Sequence, residues 1–388
     1  MKTSAKRLEQ ITPQFFSSLN EKVAALISSG KDVIRLDIGS PDLPPPSQII
    51  AALADSAAKG NHHGYQSHSA TPALRQAWAD TYHRIYGVQL DPAKEIVPLL
   101  GSKEGIFHLM LAMIDPGDVV LIPAPGYLTY AHGAVLAGGE PYYLPLRSDN
   151  HYLPDLEAIP SEVAQRARLL WLNYPNNPTA ATAPLTFFVQ ALDFARRYDL
   201  LVCHDAAYAQ ITFDGYCAPS LMQVPRAKDV AIEFNTLSKS HNMAGWRTGV
   251  AVGQAQALRA LHTIKTHADS GHFLPVLDAA TAALSGDQSW LSERNQIYQL
   301  RRDAAIQGLR ALGLAAEVPL ASLYVWAQVP PGWRAQEFAS ALLEKSSVSV
   351  TPGPVFGAQG EGYFRIALTT SAERIQTAMQ RISQSGMV

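Results

Sequence analysis

Three charged residues in the second half of the chain adjoin short apolar runs. Asp205 ends the run at 200–204, Lys239 follows the run at 230–234, and Arg247 precedes a third run. A carboxylate at the end of a buried strand needs a cationic or donor partner because its burial alone is costly. If these runs are neighbouring strands, the three side chains meet at one sheet edge. That arrangement favours a polyanionic or electron-withdrawing ligand, with a buried ion-pair network as the alternative.

Two further segments could contribute to such a site. Gly101-Ser102-Lys103 follows a short apolar run and opens a helical pattern, and the free N–H groups of a helix start favour phosphate. Its order does not match a Walker A loop, and a plain Ser N-cap explains it equally well. The turn at 174–179 contains two prolines and two asparagines, and its Asn177-Pro178 bond is a candidate for the cis form.

The elements that must position these residues alternate between apolar runs and segments of 3.6-residue periodicity. This alternation predicts an α/β fold, with a large domain built on a mostly parallel, helix-covered sheet, and ligands bound beyond the carboxyl ends of its strands. The predicted strands are 97–100, 119–123, 142–145, 169–173, 201–205, 231–234 and 250–252, and the helices include 103–114, 185–198 and 256–284.

After about residue 290 the pattern changes, which predicts a small α+β domain completed by the N-terminal arm. We expect the large domain at 47–290, where the ligand would bind, and the arm and small domain at 1–46 and 291–388. The small domain's predicted elements are helix 294–312, strand 323–329, helix 335–345, strand 364–368 and a final helix from 371.

Composition narrows the class of protein. The 31 Lys and Arg residues nearly balance the 33 Asp and Glu residues, so a nucleic-acid or membrane-surface binder is not expected. Cys203 and Cys217 are too few for a disulfide framework, and Cys203 is interpreted as a small buried hydrophobe. No secretory h-region or run of ~18 apolar residues is present, which favours a cytoplasmic protein. GxSxG, HExxH and GxGxxG are also missing, which argues against the usual hydrolase, zinc-protease and dinucleotide-binding classes. No metal site is expected.

Taken together, these segments resemble the fold-type I pyridoxal-phosphate enzymes, specifically the class I/II aminotransferases. The most specific segment is TLSKSHNMAGWR at 236–247, accompanied by Asn-Pro-Thr at 177–179 and Asp-Ala-Ala-Tyr at 205–208. GSKEGI at 101–106 and Pro-Gly-Tyr at 125–127 resemble the branch that contains LL-diaminopimelate, alanine and broad-range aminotransferases. The resemblance extends from about residue 36 to 368.

This resemblance implies pyridoxal 5'-phosphate as the cofactor and a ping-pong transfer through a Lys239 aldimine. Lys239 would then act as the acid/base at the substrate Cα, and burial and Arg247 should lower its pKa. Asp205 would pair with the pyridine nitrogen and keep it protonated.

The resemblance assigns the remaining contacts residue by residue. Tyr208 and Asn177 would bond the cofactor's phenolic oxygen, and Tyr127 would stack on its ring. Arg365 would bind the substrate α-carboxylate bidentately, assisted by the N–H of Gly39 and by Asn177.

The phosphate would be held by a further group of residues, one of them from a second subunit, which implies a homodimer. That group comprises Ser102, Lys103, Thr236, Ser238, Arg247 and, from across the subunit interface, Tyr65.

The sequence departs from the family pattern at three places near the substrate and phosphate rim. Ala180 stands where relatives usually have Gly, and any positive φ there would be disfavoured. Ala70 and Thr71 stand in the region of another family glycine, and His267 replaces an Asn of some relatives. These changes bear on substrate choice more than on cofactor binding.

The expected function is therefore transfer of an amino group from an L-amino acid to a 2-oxo acid, 2-oxoglutarate or pyruvate. The alternative is a carbon–sulfur β-lyase or related elimination enzyme, since the same fold and cofactor serve both; a regulator with an aminotransferase-like module is a third reading. The substrate side-chain pocket stays open: a dicarboxylic substrate needs a second cation, and Phe15 and Phe16 could line a pocket or pack the arm.

Overall fold

The computed structural model describes residues 4–11 and 15–388. Their helices are α1 (Phe15–Ser28), α2 (Ser47–Ala57), α3 (Pro72–Tyr86), α4 (Ser102–Met113), α5 (Thr129–Ala137), α6 (Ser161–Arg166), α7 (Leu185–Tyr198), α8 (Leu237–Ser240), α9 (Ala255–Ala268), α10 (Leu274–Ser285), α11 (Trp290–Ala311), α12 (Ala335–Ser346) and α13 (Ala372–Gln384). Their strands are β1 (Ile34–Arg35), β2 (Ile96–Leu99), β3 (Val119–Ala124), β4 (Glu140–Pro145), β5 (Ala167–Asn173), β6 (Leu201–Asp205), β7 (Ala231–Thr236), β8 (Gly249–Gly253), β9 (Tyr324–Gln328), β10 (Val348–Ser349), β11 (Thr351–Pro352) and β12 (Tyr363–Ala367).

A seven-stranded sheet in the order β2-β8-β7-β6-β5-β3-β4 forms the centre of the molecule. The strands from β7 to β4 pair in parallel, whereas β8 runs antiparallel to both of its neighbours. The carboxyl ends of β5, β6 and β7 therefore lie side by side, with Asn173 paired to Asp205 and Asp205 to Phe234. The predicted α/β class with a mostly parallel sheet is confirmed.

Helices cover both faces of this sheet, as the fully buried strands at its centre require. On β5, Leu170 and Leu172 join the core beneath α2, α3, α7 and α10, while Leu169 and Trp171 join the core beneath α4, α5 and α9. Cys203 is buried in this second core, which confirms its interpretation as a small hydrophobe.

Another group of elements, the C-terminal group, has its own hydrophobic core. A three-stranded antiparallel sheet, β11-β12-β9, packs with α11, α12 and α13, and the N-terminal strand β1 pairs in parallel with β10. Ile34 and Leu36 extend into this core. The arm thereby joins the C-terminal group, and the division at 46/47 and 290/291 stays a prediction. None of the described helices has the length and apolar character that a membrane crossing requires.

One predicted helix was wrong. The periodic segment 256–284 is two helices, α9 and α10, separated by a short connection. Gly271 adopts a φ of +77° there and donates its N–H to the Asp269 carboxylate at 2.8 Å, and Pro275 lies in the first turn of the next helix. Apolar spacing continues through the break because each helix buries one side against the sheet, α9 on one face of it and α10 on the other, whereas the Gly and Pro mark where the backbone turns.

We predict that Leu342→Ala, in α12, lowers the free energy of unfolding by about 2–5 kcal/mol, because it removes buried methyl groups and leaves a cavity. Leu342 is fully buried in the core of the C-terminal group. The matched control is Leu300→Ala in α11, where the side chain is 64% exposed and the change should stay within about 0.5 kcal/mol. Urea denaturation of both variants checks this, and equal losses would contradict it.

Candidate active site

A cavity of about 560 Å³ opens at the carboxyl edge of the central sheet, against β1, β12 and the segment 38–40 that follows β1. Residues of the central sheet and of the C-terminal group line it together, so neither group of elements forms it alone. All the candidate site residues except Tyr65 line this cavity: Gly39, Ser102, Lys103, Tyr127, Asn177, Asp205, Tyr208, Thr236, Ser238, Lys239, Arg247 and Arg365. Tyr65 is 93% exposed on the surface of this chain.

Lys239 is presented to the cavity by the short helix α8 at the end of β7. The Thr236 hydroxyl accepts the N–H of Ser238 at 3.1 Å and so caps this helix. The Lys239 ammonium donates to the carbonyl oxygen of Gly39 at 2.6 Å. Burial, together with the nearby Arg365 and Arg247, lowers the pKa of Lys239, which favours the neutral, nucleophilic amine.

Asp205 is a buried carboxylate with one oxygen in use. Oδ2 accepts the hydroxyl proton of Tyr130 at 2.8 Å, whereas Oδ1 has no hydrogen-bond partner within the described residues. Burial raises the pKa of Asp205, opposed by the Tyr130 hydrogen bond. An unpartnered buried carboxylate oxygen is costly, so this atom calls for a charged N–H donor in the cavity.

Arg365 reaches the cavity from β12 and is held on several sides. Nη1 donates to Asn177 Oδ1 at 2.8 Å and Nη2 to the Asp37 carbonyl oxygen at 3.0 Å. Its guanidinium carbon lies 4.0 Å from the ring centre of Tyr324 and 4.7 Å from that of Phe356, a cation–π arrangement on both rings. A fixed, planar guanidinium of this kind suits bidentate binding of a carboxylate.

Asn177 is itself tied to the strand ends. The Asn173 side chain accepts the Asn177 N–H at 2.8 Å and donates its amide to the Asp205 carbonyl oxygen at 2.8 Å. The Asn177-Pro178 bond is cis, as predicted. Ala180 adopts a φ of +61° despite its side chain, a backbone region that costs a residue other than glycine roughly 1–2 kcal/mol.

The other departures have different outcomes. Ala70 also takes a positive φ, +55°, and is buried. His267 is exposed at the end of α9, hydrogen-bonded to its own helix, and does not line the cavity. Phe16 lines the cavity, whereas Phe15 packs with Leu19 and Val23 inside the arm.

Hydrogen-bond donors and cations meet where α4 begins, at a place called the anion corner below. Ser102 and Lys103 start this 12-residue helix, and Gly101 precedes it with a φ of +84°. A Cβ at Gly101 would collide with Nη2 of Arg247. Arg247 in turn lies 3.5 Å from the Ser238 hydroxyl. Helix N–H groups, two hydroxyls and two cations therefore converge, which is the donor set a phosphate needs.

Thr236 differs from expectation in one respect. Its hydroxyl proton is donated to the Thr248 carbonyl oxygen at 2.9 Å. The hydroxyl thus joins the ends of β7 and β8, and its predicted phosphate contact stays a prediction.

A buried ion network supports the anion corner from behind. The Glu104 carboxylate accepts the N–H of Leu100, next to Gly101, at 2.7 Å. Lys265, fully buried, donates to Glu104 at 3.1 Å and to Asp269 at 2.7 Å. Glu104, His108 and Asp269 have the spacing of a metal site, yet the Lys265 ammonium already balances the two carboxylates.

A second buried network lies behind Asp205. Glu233, on β7, accepts hydrogen bonds from the Tyr82 hydroxyl at 2.9 Å, the Ser220 hydroxyl at 2.7 Å and the Leu221 N–H at 2.8 Å. His204 Nδ1 lies 2.9 Å from the same carboxylate. This network joins β7 to β6, the strand on which Asp205 is carried.

Sequence reasoning missed several residues that complete the site. The Tyr130 hydroxyl donates a hydrogen bond to the Asp205 carboxylate. The Tyr324 hydroxyl is hydrogen-bonded to that of Tyr208 at 2.8 Å, and the Tyr324 ring lies against the Arg365 guanidinium. Each comes from an element distant in sequence from its partner, so no local motif marks it. Only Asn173, at a predicted strand end, had a usable signal.

The residues that line the cavity match the chemical groups of pyridoxal phosphate. The unpartnered Asp205 oxygen suits a pyridinium N–H, the α4 corner suits the phosphate, and the buried Lys239 amine suits an aldehyde.

We predict that Gly101→Ala lowers the affinity of the apoprotein for pyridoxal phosphate by at least about tenfold, because the new methyl group displaces Arg247 from the anion corner. The control is Gly117→Ala, which also carries a positive φ, +92°, but whose Cβ meets nothing within 4 Å.

Both variants share the backbone strain, so comparing their cofactor dissociation constants by absorbance titration isolates the steric effect. Equal affinity in the two variants would show that the Gly101–Arg247 contact does not shape the corner.

Comparisons with known proteins agree with this geometry. The family model "Aminotransferase class I and II" matches residues 31–382. The chain is 51% identical to LL-diaminopimelate aminotransferase of Moorella thermoacetica over 378 residues, 97% of each chain. It is 46% identical to LL-diaminopimelate aminotransferase 2 of a Nostoc species, covering 99% of this chain and 98% of the relative.

Solved structures give the same result. Substrate-bound BacF from Bacillus subtilis superposes with a TM-score of 0.96 at 35% identity, covering 99% of this chain and 98% of BacF. A probable N-succinyldiaminopimelate aminotransferase from Thermus thermophilus gives a TM-score of 0.91 at 36% identity, covering 96% of this chain and 100% of the other.

The lyase alternative finds no support, because the matching relatives are aminotransferases. The chain belongs to the class I and II aminotransferases and is a pyridoxal-phosphate-dependent transaminase of fold type I.

Proposed function

We propose that this transaminase takes the amino group of LL-diaminopimelate and passes it to a 2-oxo acid, 2-oxoglutarate in the first instance. The main support for this substrate is the 51% identity to LL-diaminopimelate aminotransferase of Moorella thermoacetica, over 97% of both chains. The cavity supports it with a fixed guanidinium, that of Arg365, placed to bind the α-carboxylate of an amino acid.

The site roles form part of the same proposal. Bound pyridoxal phosphate supplies an aldehyde that links to amines and a ring that withdraws electrons. Arg365 binds the substrate α-carboxylate, helped by Asn177 and the Gly39 backbone. Lys239, whose lowered pKa leaves more neutral amine near pH 8 than a free lysine has, removes the proton from the substrate Cα.

The other candidate residues hold the cofactor in this proposal. Asp205 accepts the ring N–H on its free carboxylate oxygen, Tyr208 and Asn177 bind the phenolic oxygen, and Tyr127 lies against the ring. The phosphate contacts fall to Ser102, Lys103, Thr236, Ser238 and Arg247.

We also propose a two-fold homodimer in the cytoplasm, in which Tyr65 reaches the anion corner of the partner subunit. Tyr65 is a large and almost fully exposed aromatic residue outside this chain's own cavity. Exposed apolar side chains are unusual on a monomer when they cluster. Phe273 is a second exposed aromatic residue, and its ring lies 5.4 Å from that of His63, two residues before Tyr65. Cys203 and Cys217 are both free thiols, which suits a reducing compartment.

The test of the substrate is spectroscopic. Adding LL-diaminopimelate alone to the holoenzyme should move the cofactor's absorbance to shorter wavelength, and 2-oxoglutarate should restore it. DD-diaminopimelate should cause no change. Lys239→Ala should abolish the response, whereas the exposed Lys94→Ala should keep it. A spectral response to another amino acid but not to LL-diaminopimelate would refute the proposal that LL-diaminopimelate is the amino donor.

A subunit-mixing experiment tests the role of Tyr65. Tyr65→Ala and Lys239→Ala subunits are each expected to be weakly active or inactive. If Tyr65 serves the partner's site, a mixed dimer contains one site with both residues intact, so refolding the two together should recover part of the activity. No recovery, with mixed dimers verified by differential tagging, would place Tyr65 outside the partner's site.

A further inference from the structure

Within the described residues, five cationic side chains line the cavity, and the proposed function employs four of them. Lys103 and Arg247 lie at the anion corner, Lys239 faces the reacting carbon, and Arg365 receives the α-carboxylate. The fifth, Arg35, is left without a role.

Arg35 faces the cavity because of the strand alternation of the N-terminal arm. Ile34 and Leu36 are buried in the core of the C-terminal group. Successive side chains of an extended segment point to opposite sides, so Arg35 and Asp37 are directed away from that core, and both line the cavity. The arrangement therefore places a cation at the cavity wall formed by the arm.

Asp37 fixes the Arg35 guanidinium while leaving one edge of it available. Nε donates to Asp37 Oδ1 at 2.7 Å, and Nη2 donates to Oδ2 at 2.6 Å and to Asn20 Oδ1 at 2.8 Å. A guanidinium has five N–H donors, and these three bonds leave the two on Nη1 without a partner in the part of the chain that the structure describes. The Arg35 side chain is 23% exposed and that of Asp37 only 1%, so Arg35 is the member that a ligand can reach.

Arg35 and Arg365 are both bonded to the same residue, Asp37. Arg365 contacts its carbonyl oxygen at 3.0 Å and Arg35 its carboxylate. One residue and two hydrogen bonds therefore separate the Nη2 atoms of the two guanidinium groups, and these atoms lie no more than about 10 Å apart. A seven-carbon dicarboxylate can bridge such a span with one carboxylate on each cation.

We propose that Arg35 binds the second carboxylate of the substrate, at the opposite end from the one held by Arg365, and so selects dicarboxylic amino acids. Asp37 acts as the positioning residue that orients its free edge. The identity of the dicarboxylate as LL-diaminopimelate rests on the proposed function, whereas the role of Arg35 does not depend on which dicarboxylic donor is used.

The competing explanation is that Arg35 only ties α1 to β1 through Asn20. The two explanations differ in what a substitution does to ligands that have or lack a second carboxylate. A tether acts on both kinds of ligand equally, whereas a binding cation acts on dicarboxylates alone.

The first experiment uses two unreactive ligands, pimelate and heptanoate, as competitive inhibitors of the holoenzyme. They have the same number of carbons and differ by one carboxylate. The wild-type enzyme should bind pimelate more tightly than heptanoate. Arg35→Gln should weaken pimelate binding by about 10- to 100-fold, as for loss of a charge-assisted hydrogen bond, and heptanoate binding by much less.

Two controls separate binding from structure. Arg374→Gln removes a similar bidentate pair, with Asp32, outside the cavity, and should change neither inhibitor. Asn20→Ala removes the link to α1 but keeps the cation, and should preserve most of the preference for pimelate.

Donor substrates give an independent readout. L-2-aminopimelate retains the distal carboxylate of LL-diaminopimelate without its second amine, and L-lysine retains that amine without the carboxylate. The loss of kcat/KM in Arg35→Gln should be at least about tenfold larger on L-2-aminopimelate than on L-lysine.

The proposal is overturned if Arg35→Gln keeps the preference for pimelate, or if it and Asn20→Ala weaken both inhibitors alike. If LL-diaminopimelate fails as a donor while Arg35→Gln still abolishes the pimelate preference, the proposed substrate is wrong and the role of Arg35 holds.

Discussion

The buried carboxylate of Asp205 is the constraint around which the site is organised. A charge at the end of a buried strand is stable only with partners, and the described residues supply a side-chain donor to one oxygen alone, through Tyr130. Trp171 stacks on Tyr130 with the ring centres 4.9 Å apart, and the His204–Glu233 pair joins β6 to β7. The remaining oxygen thus has no donor among the described residues, in accord with the cofactor N–H proposed for it, and the surrounding packing holds the strand in place.

The same cavity brings five cations of the described residues close together, which is costly without counter-charges. The protein meets this cost differently at each one. Arg35 is paired with Asp37, the Lys239 ammonium has its pKa lowered, and Arg365 lies between two aromatic rings. Among the described residues no carboxylate is paired with Arg247 at the anion corner, in accord with the phosphate contact proposed for it. Glu104, in the first turn of α4, is neutralised from behind by Lys265.

Two departures from the family pattern place alanine in a backbone conformation that favours glycine. Ala180 and Ala70 both occupy positive φ values where a glycine would be unstrained. Surrounding packing holds them there, because both residues are buried. The Asn177 contact with Arg365 is present beside Ala180, so the substitution adds backbone strain to the site while this hydrogen bond remains.

The sequence by itself determined the strand ends, the parallel α/β sheet and the meeting of Asp205, Lys239 and Arg247 at one sheet edge, because apolar runs that adjoin these residues are local signals. The family resemblance supplied the other candidate residues. Tertiary structure decided how those residues are held. Tyr130, Tyr324 and Lys265 act on partners far along the chain, and their spacing carries no periodic signal. The break between α9 and α10 and the Arg35–Asp37 pair depend equally on packing. Long-range contacts form only when several elements meet in three dimensions, and one chain's local pattern does not encode which elements meet.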